Sequence, residues 1–296
     1  PNTNNQASTN RLGSVAADLS KEKAFDAIKM SFDYNPLTLD VIAAKVASNS
    51  NGGVAPHKDD TDLYGINANY QLGDAMNTVV EAYVFGRNIG ERAANGASGD
   101  RADKLWVPGL RVSTNPVKGL NVQAEAALQR GNNTSSGLNQ KRGAYGLQGM
   151  ASYAVQCEKL AQYKPVVSAS YTYVSGDKSS SSSPDLNNKN TAWDPLFENQ
   201  NGGTIFNSLF NLTNLQIVNA TVSASPLADV TTSLSWNGLW SAQKLTAGTQ
   251  AGIASVTTLV NPSGGTFTQQ VTSNKSLGNE YDANVAYQYT EDVKFG

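Results

Sequence analysis

The chain has 296 residues, a formal net charge of −2, 16% charged residues and 39% hydrophobic residues. Both fractions fall below those of an ordinary soluble domain, in which roughly a quarter of the residues are charged. Lys and Arg form no basic stripe, which excludes nucleic acid as a partner, and no apolar run approaches the ~18 residues of a transmembrane helix.

From residue 24 onward, side chains alternate between apolar and polar, the period of strands whose successive residues face opposite sides. In AFDAIKMSFDY, Ile28, Met30, Phe32 and Tyr34 oppose Lys29, Ser31 and Asp33. Asn35-Pro36 follows, then LTLDVIAAKV with Leu37, Leu39, Val41 and Ala43 on one face. A two-residue turn pairs Tyr34 with Leu37 and makes the two apolar faces coincide.

The next hairpin sets Tyr64, Ile66, Ala68 and Tyr70 against Asn67 and Asn69, then Val80, Ala82 and Val84 against Glu81, Tyr83, Phe85 and Arg87. KLWVPGLRVS and LNVQAEAALQ continue the pattern around a turn at 114–119. AYGLQGMASYAV, PVVSASYTYVS, LQIVNATVSAS, VTTSLSWNGLW and EYDANVAYQY complete it. The expectation is about eleven strands of ~9–11 residues, a length that crosses a bilayer at a tilt.

Connections alternate in length, with short ones at 35–36, 73–77, 114–119, 156–164, 226–229 and 290–292 and long ones at 47–61, 88–103, 131–142, 176–214 and 241–278. Short turns on one side and long loops on the other are the habit of outer-membrane barrels. Tyr and Trp of the apolar face gather towards the strand ends, with Ile, Val, Ala and Leu between them. Two aromatic girdles about an aliphatic band ~25 Å tall point to lipid around the barrel. The fold expected is an all-β transmembrane antiparallel up-and-down barrel over 24–296, after a lead-in of 1–23.

The polar face is then the pore lining. It carries Lys29, Asp40, Glu81, Tyr83, Arg87, Arg111, Gln123, Glu125 and Asp282 among many amides. Arg111 is expected at mid-strand with Glu81 and Glu125 beside it. That trio is either an ion-pair ladder that stiffens the wall or a constriction with a transverse field. In the loop 176–214, Trp193, Asp194 and Phe197 are candidates for an inward plug, a surface loop being the alternative.

No catalytic, metal or cofactor site is expected. The one histidine, His57, sits in the polar segment APHKDDTD, far from any nucleophile pattern. Asp59, Asp60 and Asp62 beside it lack the spacing of a calcium loop. Cys157, the only cysteine, reads as an ordinary free thiol next to a turn.

AFDAIKMSF, DTDLYGINANYQL, YTYVSGDKSSSSSPDLNNKNTAWDPLF, TNLQIVNATVSASP and LGNEYDANVAYQYTEDVKFG together resemble the alginate-export type of outer-membrane barrel. The most specific piece is Ser175-Gly176-Asp177 at a strand exit, followed by Trp193-Asp194-Pro195-Leu196-Phe197. The resemblance implies a bacterial outer-membrane barrel of about 18 strands, with further strands before Ala24 and after Phe295. It also implies saccharide export through an arginine-lined lumen. Here only Lys29, Arg87 and Arg111 clearly face inward, against at least five carboxylates, so the lumen is expected to hold a polyuronate weakly.

The function expected is a porin-like channel for passive passage of a hydrophilic solute or saccharide, with outer-membrane lipid around it. The alternative is a structural barrel that sheathes or anchors a protein partner, such as a surface appendage or an electron conduit.

Overall fold

A computed structural model describes residues 26–47, 60–90, 102–133, 140–177, 189–196, 202–243, 259–260, 266–267, 275–291 and 293–295. The lead-in 1–23, His57, Asp59 and Phe197 lie outside the described residues.

Eleven long strands follow one another as antiparallel neighbours in chain order. They are β1 (Asp26–Asp33), β2 (Leu37–Ala47), β3 (Thr61–Gln71), β4 (Val79–Ile89), β5 (Asp103–Val117) and β6 (Leu120–Leu128). Then come β7 (Tyr145–Ala154), β8 (Val166–Val174), β9 (Leu215–Leu227), β10 (Val230–Ser241) and β11 (Ser276–Gln288). A short β12 (Lys294–Phe295) pairs with β11, and among the described residues β1 and β12 are not paired with each other. This is the up-and-down order expected of a transmembrane barrel.

The first turn is as short as expected, with the Tyr34 N–H donating to the Leu37 carbonyl at 2.7 Å. Two other turns are tighter than the sequence suggested. β5 runs on to Val117 through a bulge after Thr114, leaving only Lys118-Gly119, and β9 runs on to Leu227. Gly119 sits at φ +84°, where a side chain would also press on the Ala154 carbonyl. The wide turn 156–164 holds a short 3₁₀ helix over Glu158–Tyr163.

The pairing register puts the predicted faces together across the whole sheet. Ile28, Ile66, Val84, Leu110, Leu147, Val222, Leu234 and Val285 lie on the outer face and are exposed, Leu234 by 66% and Val285 by 61%. So many exposed aliphatic side chains in one band would be costly in water and are at home in lipid. Tyr34, Tyr70, Tyr153 and Tyr287 mark the turn end of this band, and Tyr64, Trp106, Tyr145, Tyr171 and Tyr281 mark the loop end.

The buried groups lie elsewhere, on the opposite face at the loop end. Val174, Phe206, Phe210, Leu215, Ile217 and Leu239 form one cluster, and Leu105, Val107 and Ala127 another. Each is covered by chain folded back from the loop 176–214, a segment that the sequence left between plug and surface loop. That segment includes Lys189–Asn190, which adds a parallel rung to Gln140–Arg142, and a short helix α1 (Thr204–Leu209).

Candidate functional site

The inner face divides by height. Towards the turns it is polar, as the alternation requires, and every predicted pore residue from β1 to β11 points to that side. Glu81 pairs across β4–β5 with Arg111, and Arg111 across β5–β6 with Glu125, so the three share one level as expected. Their contacts differ from a simple trio. Arg111 donates to Glu81 at 3.2 Å and to the Gln123 carbonyl oxygen at 2.5 Å, while Glu125 accepts the Tyr83 hydroxyl.

Tyr83 reaches Glu125 because its cross-strand partner is Gly109, and the ring folds into the space a side chain there would fill. Phe85 over Gly65 and Trp106 over Gly86 repeat the device. The amide row continues with Gln123 donating to Asn121 at 2.7 Å and Gln148 to Thr172 at 2.9 Å. At the first hairpin, Lys29 meets Asp40 at 3.1 Å and Ser31 donates to the same carboxylate. On the far strands, Asp282 accepts from Asn237 at 2.9 Å, and Asn237 accepts from Asn219 at 2.7 Å.

Towards the loops the inner face carries a second and more buried constellation. Arg87 donates to both oxygens of Asp194, at 3.0 and 2.6 Å. Arg142 bridges Asp194 at 3.2 Å and Asp103 at 3.0 and 2.8 Å, and Arg87 lies 3.8 Å from Asp103. Two guanidinium forks and two carboxylates thus neutralise one another almost out of solvent, the geometry in which buried charge is tolerated. Gln129 completes the grip by accepting the Asp194 N–H and donating to its carbonyl.

Asp194 therefore lies against the inner face of the sheet, and Arg87 binds the chain rather than facing open lumen. Trp193 packs against both buried clusters, joining Leu196 and Phe85 on one side to Phe206 and Leu215 on the other. Sequence reasoning missed Asp103, Arg142 and Glu280, and took Gln129 only as one of the inward amides. A usable signal was present in Leu105-Trp106-Val107 and Leu239-Trp240, where alternation fails and both faces are apolar, the mark of a strand covered on two sides.

The segment's entry is set by the Ser175-Gly176-Asp177 exit. The Ser175 carbonyl accepts the Trp193 N–H at 2.9 Å, the Ser175 hydroxyl donates to the Thr191 carbonyl, and Asp177 accepts the Thr191 N–H at 3.0 Å. A side chain at Gly176 would collide with Asn214, which closes the return of the loop. Further along, Glu280 on β11 accepts the N–H groups of Ile205 and Phe206 at 2.7 and 2.8 Å, capping α1 against the wall. The two halves of the most specific sequence motif are thus the hinge and the clasp of one inward fold.

A family profile described as alginate export matches residues 8–295, nearly the whole chain. The chain belongs to the alginate-export family. Members of the alginate-export family are outer-membrane transport proteins rather than enzymes. No individually curated protein matches the chain.

Proposed function

We propose that this alginate-export protein is a porin-like channel through which a hydrophilic solute or saccharide crosses the outer membrane passively. The observation that carries the reading is the opposition of the two faces. Outward Leu234 and Val285 meet lipid, while Asn219, Gln123 and Gln148 on the inner face suit water or a hydroxyl-rich solute. The rung of Glu81, Arg111, Gln123 and Glu125 is the part of the wall that touches the passing solute. The inward fold of 189–196 narrows the mouth on the long-loop side.

Single-channel conductance in a planar bilayer tests this, with and without neutral oligosaccharides. Steps that an oligosaccharide blocks in a saturable manner support a solute channel, and Arg111→Ala then weakens the block. An inserted barrel that passes no current would end the channel reading.

A further inference from the structure

The charges on the inner face sort into two groups that behave differently. At the loop end, Arg87, Arg142, Asp103 and Asp194 cancel one another within a buried cluster and offer no net charge to the lumen. Nearer the turns, Lys29 and Arg111 on the inner face are each held by a carboxylate, Asp40 and Glu81 respectively, and Lys294 on β12 shares the inner-face register of Gln288. Asp33 and Glu125 on the same face take hydrogen bonds from neutral donors, the Asn35 N–H and the Tyr83 hydroxyl, and Asp282 takes one from the Asn237 amide beside the carboxyl of Glu280. A neutral donor satisfies an oxygen without cancelling its charge.

The cancellation is therefore one-sided, and carboxylate charge is what remains facing the lumen. From this, and resting on the channel reading above, we infer that the lumen repels polyanions and selects cationic and neutral hydrophilic solutes, with Glu125 and Asp282 as residues that set the selectivity. Glu125 stands on β6, in the middle of the described sheet, and Asp282 on β11, next to its end, so a solute moving along the wall meets the same sign at both places. Carboxylates in a water-filled lumen with low-dielectric walls concentrate cations and deplete anions, because field lines are focused along the pore. Arg111 does not reverse this, since its guanidinium lies between Glu81 and Gln123 with Glu125 at the same level. A polyuronate, with one carboxylate per sugar, would meet Lys29 and Arg111 already paired with carboxylates of the wall.

The test is the reversal potential of the reconstituted protein in a potassium chloride gradient, followed by block with oligomannuronate and with a cationic chito-oligosaccharide. The expected result is a potassium preference over chloride of about threefold or more, with block by the cationic oligomer and not by oligomannuronate. Glu125→Gln combined with Asp282→Asn keeps the hydrogen-bonding shapes and is expected to lower the preference by about twofold. Chloride preference, or saturable block by oligomannuronate, would overturn the inference and leave the channel reading standing. Unchanged selectivity in the double variant would overturn the assignment to these two residues. An inserted barrel without any current would remove the channel reading, and the inference with it.

Discussion

Arg87 holds Asp194 with both terminal nitrogens across 107 residues of chain, joining strand β4 to a turn that enters the lumen side of the sheet. The pair is almost removed from solvent, so neither charge can be lost alone without leaving the other buried and short of a partner.

Asp194→Ala is accordingly expected to destabilise the protein by about 3–5 kcal/mol, the usual cost of removing one member of a buried ion pair. It should also free 189–196 from the wall and raise single-channel conductance. Asp194→Asn retains hydrogen-bonding oxygen and is expected to fall between the two. Heat-modified mobility on gels reads the stability and bilayer recording reads the conductance. An unaltered conductance in the Ala variant would show that the segment does not narrow the pore.

Gly109 leaves room for the Tyr83 ring, and Tyr83 in turn satisfies Glu125. Gly109→Val should push the ring aside, break the hydroxyl–carboxylate contact and cost about 1–3 kcal/mol, as overpacking usually does. Tyr83→Phe removes only the hydroxyl and should cost less than Gly109→Val. Urea titration of refolding into detergent micelles gives the order. Finding the Phe variant worse would mean that the hydrogen bond, not the ring's seat, holds this part of the wall.

Leu234 and Ser235 are chain neighbours on opposite faces of β10, which makes them a matched test of sidedness. Leu234→Arg should disfavour insertion into lipid vesicles by about 2–4 kcal/mol, the cost of a cation on the lipid face near the midplane. Ser235→Arg faces the lumen and should insert nearly as well as the parent. Equal behaviour of the two variants would contradict the assignment of the outer face to lipid.

Asp74 lies outside the strands, in the turn between β3 and β4, and accepts both the hydroxyl and the backbone N–H of Thr78, at 2.6 and 2.7 Å. These bonds, the hydroxyl's first, hold its carboxyl below the usual value. A lowered folded value means the turn gains stability at pH above the ordinary carboxylate range of about 3.9, and loses it as the pH falls through the folded value. The Thr78 amide should therefore stay protected from hydrogen exchange at neutral pH and open under strong acid. Asp74→Ala should remove that protection at every pH.

The outer face was legible because lipid asks one thing of every second residue. Ile28, Met30, Ile66, Leu110 and Leu234 meet that demand independently of what lies opposite, so local alternation alone places them. The level shared by Glu81, Arg111 and Glu125 followed too, since short turns fix register across adjacent strands. Their bonding did not follow. Whether Arg111 takes Glu125 or Gln123 depends on Tyr83 claiming Glu125 first, and that depends on a glycine in the next strand.

The sequence by itself determined the number of long strands, their order, and which face of each meets lipid, because all three rest on neighbours in the chain and on a period of two. Only the tertiary structure decided that 189–196 and α1 fold inward and close over the wall. That choice is made by Asp194 meeting Arg87 and Arg142, by Glu280 meeting the first turn of α1, and by Trp193 joining two apolar clusters. These partners lie far apart in sequence, and no local pattern records which distant charge or cavity a loop residue will reach.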